Sequence, residues 1–142
     1  MQIEKIHTDL AAEEIFDKLN LLSEPIFLDS SDESSKFSQY SFIFAEPFMK
    51  FVSYDKTCFR ELRKFLDSYK VEFSEKFPSG AACGYISYDA GFFIENIRNS
   101  LKANDELKWP KLEFGFYDFV IVYDHFNRDV YLISTGLPER SR

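Results

Sequence analysis

Apolar positions along this chain repeat with two different periods, and the places where one gives way to the other predict its elements. From Asp55 onward Cys58, Phe59, Leu62, Phe65, Leu66 and Tyr69 recur at three- and four-residue intervals, the spacing that lines one face of a helix. A second helix is predicted behind an N-cap at Asp9, with Ala12, Ile15, Phe16 and Leu19 on its apolar side and Ser23-Glu24-Pro25 ending it. Elsewhere the pattern is that of strands: Ile26 to Asp29, Gln39 to Ala45, Phe48 to Tyr54, Ala82 to Tyr88, Glu113 to Tyr123 and Asp129 to Ser134, each bounded by turn residues. The polar run Ser30 to Lys36 forms a loop, and Glu46-Pro47 is predicted to make the strand from Phe48 the hairpin partner of the one before it. Phe77-Pro78-Ser79-Gly80 is a predicted turn, Gly91 lets the chain change direction after Asp89, Asn96 to Lys111 is a charged surface excursion, and Asp124 to Arg128 joins the last two strands. Two helices inserted among about six strands, mostly joined by tight turns, predict an α+β domain with a largely antiparallel sheet.

The 142 residues suit one core, so residues 1–142 are expected to form a single domain. The core is rich in rings, with 17 Phe and 8 Tyr, which argues against a disordered chain. A net charge of −7, with basic residues scattered along the sequence, disfavours a nucleic-acid partner. No apolar run approaches a membrane span, and Met1 to Lys5 has no apolar signal region, so a cytoplasmic protein is expected, away from the membrane.

No catalytic set is legible: the P-loop, dinucleotide, zinc-protease and nucleophile-elbow motifs are all missing from the sequence. Cys58 and Cys83 lack CxxC spacing and read as buried thiols. His7 and His125 read as solvated, since a base needs a positioned partner and a metal needs further ligands. Gly80 and Gly84 flank a strand and do not open a helix, which points to close packing more than to a phosphate cradle. Asp89 and Glu95 read as ordinary strand-end acids. The most ligand-like stretch is Leu28-Asp29-Ser30 with Phe37-Ser38-Gln39-Tyr40-Ser41. A carboxylate, hydroxyls and rings at strand ends would suit a zwitterionic aromatic amino acid, and a solvated serine turn would have the same composition.

The order of several segments resembles the N-terminal domain of the chorismate-using synthases, component I of aminodeoxychorismate synthase and of anthranilate synthase. The matching pieces are Phe27-Leu28-Asp29-Ser30, Gln39-Tyr40-Ser41-Phe42 with Ala45-Glu46-Pro47, and Gly80 to Gly91. Phe114 to Asp118 and Asp124-His125 before Val130 to Ser134 complete the set, which covers nearly the whole chain from Ile26. The short segment before Phe27 and the Asp29-to-Pro47 spacing favour the aminodeoxychorismate branch. The chain departs from the family at Ser79-Gly80, Phe92-Phe93 and Arg98 and keeps its glutamate as Glu95. These departures bear on the contact with the catalytic domain more than on the fold.

The resemblance implies a supporting domain packed against a larger C-terminal domain that binds chorismate and Mg²⁺ and aminates it with ammonia from a glutamine amidotransferase subunit, toward para-aminobenzoate and folate. That catalytic domain is expected to lie outside residues 1–142, leaving this chain with no catalytic residue, metal or cofactor of its own. The resemblance also implies a tryptophan site, which carries over to Asp29, Ser30, Phe37, Ser38, Tyr40 and Ser41.

Overall fold

A computed structural model describes residues 1–30, 32, 35–36, 38–71, 77, 81–95 and 107–139. In chain order its elements are β1 (Gln2–Ile6), α1 (Ala12–Leu19), β2 (Ile26–Leu28), β3 (Tyr40–Phe44), β4 (Met49–Ser53), α2 (Cys58–Ser68) and β5 (Ala81–Ile86). A 3-10 turn over Tyr88–Ala90 runs into the short α3 (Gly91–Ile94), followed by β6 (Leu112–Tyr117), β7 (Phe119–Asp124) and β8 (Asp129–Ser134). The strands form two sheets, a larger one in the order β1-β8-β7-β3-β2 and a smaller one in the order β4-β6-β5. All pairings are antiparallel, so the predicted α+β class holds.

Alternation along the strands sorts the side chains into layers. Phe27, Ile43, Ile121 and Leu132 of the larger sheet are packed with Ile15, Phe16 and Leu19 of α1, and the Phe16 ring stacks on Phe27 at 5.1 Å. From the opposite face Phe44, Val120, Val122 and Ile133 meet Cys83 and Tyr117 of the smaller sheet in an inner core. Beyond it, Cys58 and Leu62 of α2 pack on Phe51, Leu112 and Phe116. The layers thus run α1, larger sheet, smaller sheet, α2. Each large side chain so buried contributes at most about 1.5–3 kcal/mol before entropy is subtracted.

Several expectations are corrected. The β3 and β4 strands are not hairpin partners: β3 pairs with β2 and β7, while β4 crosses to the smaller sheet and pairs with β6. Glu46, at φ 55°, turns the chain between them, and its backbone N–H and carboxylate both bond to Ser23. Residues 113–123 are not one strand, because Asp118 bends the chain from β6 in one sheet to β7 in the other. β1, unpredicted, pairs with β8 along a sheet edge. The first helix is capped at Ala11, not Asp9, with the Glu14 carboxylate accepting the Ala11 N–H at 2.8 Å. Gly91 has an ordinary helical φ of −56°, and a Cβ there would meet nothing within 4 Å, so its glycine is not needed for the reversal.

Close packing at Gly84 is confirmed. An added Cβ would run into the Glu113 carbonyl oxygen and come within 2.7 Å of the Phe114 Cα. Both cysteines are buried and free, and burial pushes the Cys83 thiol pKa up. Among the described residues no helix is long and apolar enough to cross a membrane. The predicted turn residues Pro78 to Gly80 and residues 96–106 of the predicted excursion lie outside the described residues, as do Phe37 and part of the serine loop.

Candidate functional site

The antiparallel pairing of β2 with β3 sets Leu28 opposite Phe42, which carries Asp29 and Ser30 alongside Tyr40 and Ser41. Ser30 donates its hydroxyl to the Tyr40 carbonyl at 2.8 Å and its backbone N–H to Ser41 Oγ at 3.0 Å. Ser41 Oγ also lies 2.8 Å from Asp29 Oδ1 and 2.7 Å from His125 Nε2. His125 arrives from the β7–β8 turn, held by its backbone N–H on the Gln39 carbonyl and by its ring against Tyr123 at 4.9 Å.

Counting protons fixes the roles. Ser41 is fully buried, and its hydroxyl has one proton and two lone pairs. With the Ser30 N–H on one lone pair and the proton given to the Asp29 carboxylate, the other lone pair accepts from His125 Nε2–H. That assigns the Nε2–H tautomer and leaves Nδ1 as an acceptor. Ser41 and His125 stand at nucleophile–base distance, yet the serine proton points to the carboxylate and the base nitrogen already carries a hydrogen, so the pair is not primed for attack.

The structure therefore brings four of the candidate residues together: Asp29, Ser30, Ser41 and the backbone of Tyr40. The Tyr40 ring turns away, packing edge-on to Phe77 in the inner core at 5.8 Å. Ser38 closes a backbone turn onto Ser35 and has no hydrogen bond to this network, and Phe37 lies outside the described residues. His125, expected to be solvated, is the member that sequence reasoning missed. It is half-buried and bonds across 84 positions of sequence. Its place beside Asp124 in a strand-connecting turn was the available signal.

Three of the clefts among the described residues have walls without Asp29, Ser30, Ser38, Tyr40 or Ser41, and one of them is walled in part by His125. A cleft of about 190 Å³ is mostly apolar, walled by Phe48, Tyr69, Phe116 and Tyr117. Another, of about 330 Å³, carries Glu24, Lys50, Tyr85 and Glu113 over Gly115 and Tyr117. There the Lys50 ammonium bridges Glu113 at 2.8 Å and Glu24 at 3.1 Å, hydrogen bonds that raise its pKa, the Glu113 one most. Burial first, then nearby thiol and carboxylate charge, pushes the Tyr117 hydroxyl up to about 12; it donates to the Glu24 carbonyl. The third cleft, of about 630 Å³, lies between the start of α1 and the β7–β8 turn, with Asp9, Glu14, Tyr123, His125, Phe126 and Arg128 among its walls. Among the described residues no three His, Cys, Asp or Glu side chains converge as metal ligands.

Comparison with known proteins places these features. A family model described as chorismate binding enzyme matches residues 23–142. The chain is 29% identical over 124 residues to anthranilate synthase component 1 of Acetivibrio thermocellus, covering 75% of this chain and 25% of that protein. It is 34% identical over 129 residues to anthranilate synthase component 1 of Bacillus pumilus, covering 75% and 24%. With aminodeoxychorismate synthase component 1 of Bacillus subtilis it shares 34% identity over 88 residues, covering 56% and 18%. The chain thus spans a quarter or less of the length of these relatives.

Proposed function

The chain belongs to the chorismate binding enzyme family, and on that premise we propose that it is the N-terminal, non-catalytic domain of component I of a chorismate-aminating synthase of the aminodeoxychorismate branch. One observation carries this reading. One end of the larger sheet holds a serine–histidine pair whose proton and base nitrogen are both engaged internally, so the described residues support a scaffold and offer no primed nucleophile. Chorismate, Mg²⁺ and ammonia from a glutamine amidotransferase subunit are then the business of a separate catalytic domain, in the cytoplasm. The smaller sheet is suited to receive that domain: Val52 and Trp109 are 41% and 61% exposed, and Trp109 packs on Tyr85 at 6.2 Å. The same domain binds a free aromatic amino acid, tryptophan, near the Asp29–Ser30 turn.

A second reading, the anthranilate branch, is favoured by the names of the Acetivibrio and Bacillus pumilus relatives. Product analysis separates the two. This chain mixed with chorismate, Mg²⁺ and ammonia should form no product, whereas the same domain joined to its own catalytic domain should yield 4-amino-4-deoxychorismate; anthranilate from that protein would select the second reading. Turnover of chorismate by this chain unaided would overturn both.

A further inference from the structure

The apolar cleft at the end of α2 plays no part in the function proposed above, and its wall has a chemistry of its own. We propose that it binds an apolar monocarboxylate, whose ring or short chain is held among Phe48, Tyr69, Phe116 and Leu137 and whose carboxylate meets the Lys70 ammonium. The site and its ligand are separate from the amino acid and the catalytic domain of the proposed function, and neither depends on the other.

The cleft holds about 190 Å³. An apolar cavity of about 150 Å³ takes up benzene and stays dry, so the space suits one ring or a chain of about six carbons. Its floor is preformed. Phe116 and Tyr117 are 3% and 1% exposed, and the rings of Phe48, Tyr69 and Phe116 pack on one another with centroids 5.1, 5.9 and 6.3 Å apart. Ala81 and Ala82, paired with Tyr117 and Phe116 across β5 and β6, add little bulk to the same wall. The Tyr117 hydroxyl is committed to the Glu24 carbonyl, and the backbone N–H groups of Phe48 and Tyr69 to the carbonyls of Phe116 and Phe65. With these donors spent, the wall offers a ligand hydrocarbon and ring surface.

Charge decides the rest of the ligand. Lys70 is the one charged residue of this wall among the described residues, and it forms no ion pair among them. It follows Tyr69, the C-cap of α2, where its ammonium offsets the partial negative charge of the last helical carbonyls and keeps donors to spare. A carboxylate would complete that ammonium, and a ligand cation would be repelled by it. A zwitterionic amino acid would find no acid among the described wall residues to take its own ammonium. Leu66, on the same wall, is 45% exposed, and a bound apolar body would cover it.

Amide chemical-shift mapping of the 142-residue chain with benzoate, hexanoate, benzyl alcohol and benzylamine tests the assignment. Benzoate or hexanoate should bind in the millimolar range expected of so few atoms and move the amides of Phe48, Tyr69, Ala82 and Leu137. The tighter of the two identifies the apolar body as ring or chain. Benzyl alcohol should bind about three- to fivefold more weakly than benzoate, and benzylamine more weakly still. Lys70→Met should weaken benzoate by the same factor and leave benzyl alcohol unchanged, whereas Lys70→Glu should make benzylamine the preferred ring. Lys70 is exposed, so both variants should keep the wild-type fold, checked by their amide spectra. Shifts confined to other residues, or none with either acid at about 10 mM, would overturn the site. Equal affinity for benzoate and benzylamine, or an unchanged benzoate affinity in Lys70→Met, would overturn the ligand class.

Discussion

At one end of β7, Asp118 gathers donors from the last residue of β8 and the chain just after it: Ser134 Oγ at 2.8 Å, the Thr135 N–H and hydroxyl, and the Leu137 N–H at 2.9 Å. At the other end, Asp124 accepts the Phe126 and Asn127 N–H groups, and beside it His125 reaches into the Asp29–Ser30–Ser41 cluster. Both ends are built from carboxylates, hydroxyls and backbone donors. The Asp118 end is closed, with both of its oxygens engaged. The His125 end leaves Asp29 Oδ2 and His125 Nδ1 without partners among the described residues, and a cleft adjoins the latter. A polar cluster that uses all its valences holds a fold together, and one that keeps some at a cavity wall is positioned to bind.

The sharpest way to break this contrast is Asp118→Ala. It orphans the donors of Thr135, which is 2% exposed, and should cost about 2–3 kcal/mol in denaturant unfolding; a cost below about 0.5 kcal/mol would show that the corner is not what joins the sheets. Ser41→Ala comes next. It leaves the Ser30 N–H and His125 Nε2–H facing an apolar methyl and should cost about 1–2 kcal/mol, with faster amide exchange at Ser30. Unchanged stability there would mean that the cluster is not a supporting network.

The smallest effect is a difference in pH dependence. Burial works to raise the Asp118 carboxyl, but the hydrogen bonds from Thr135, Ser134 and the Leu137 N–H outweigh it and hold its pKa below the usual 3.8. A carboxyl depressed in the folded state adds stability above its unfolded pKa and loses it as pH falls through the folded value. The wild-type chain should therefore lose stability below about pH 4 more steeply than Asp118→Asn. Parallel pH profiles of the two midpoints would remove Asp118 from the account of acid unfolding.

How much of this was legible depended on the range of each interaction. The helix α2 was readable from Cys58, Phe59, Leu62, Phe65, Leu66 and Tyr69 because a period is a local property of the backbone. The strands were readable for the same reason, and so was the hairpin of the last two across Asp124 to Arg128, but the other pairings were not. Two alternating runs separated by Glu46-Pro47 look alike whether they form a hairpin or enter two sheets. The break in the 113–123 run is set by donors from residues 134–137, too far along the chain to register in any local window. β1 hid because an exposed edge strand lacks the apolar alternation of a buried one.

The candidate site divided along the same line. Asp29, Ser30 and Ser41 were marked by residue type and by resemblance, and the pairing of β2 with β3 brings them together. His125 was hard to place, since its partner is 84 residues away and its position beside Asp124 in a strand-connecting turn was the one local signal. The cleft beside it was equally invisible, being walled by segments from opposite ends of the chain.

The sequence by itself determined most of the elements, the α+β class and the family, because side-chain periodicity, turn chemistry and residue order all reside in neighbouring positions. Only the tertiary structure decided which strands share a sheet, that Asp118 turns the corner between the two, and that Ser41 is saturated while the cleft behind His125 is not. Those outcomes depend on hydrogen bonds and packing between distant segments, whose geometry exists only once the two sheets have closed on each other.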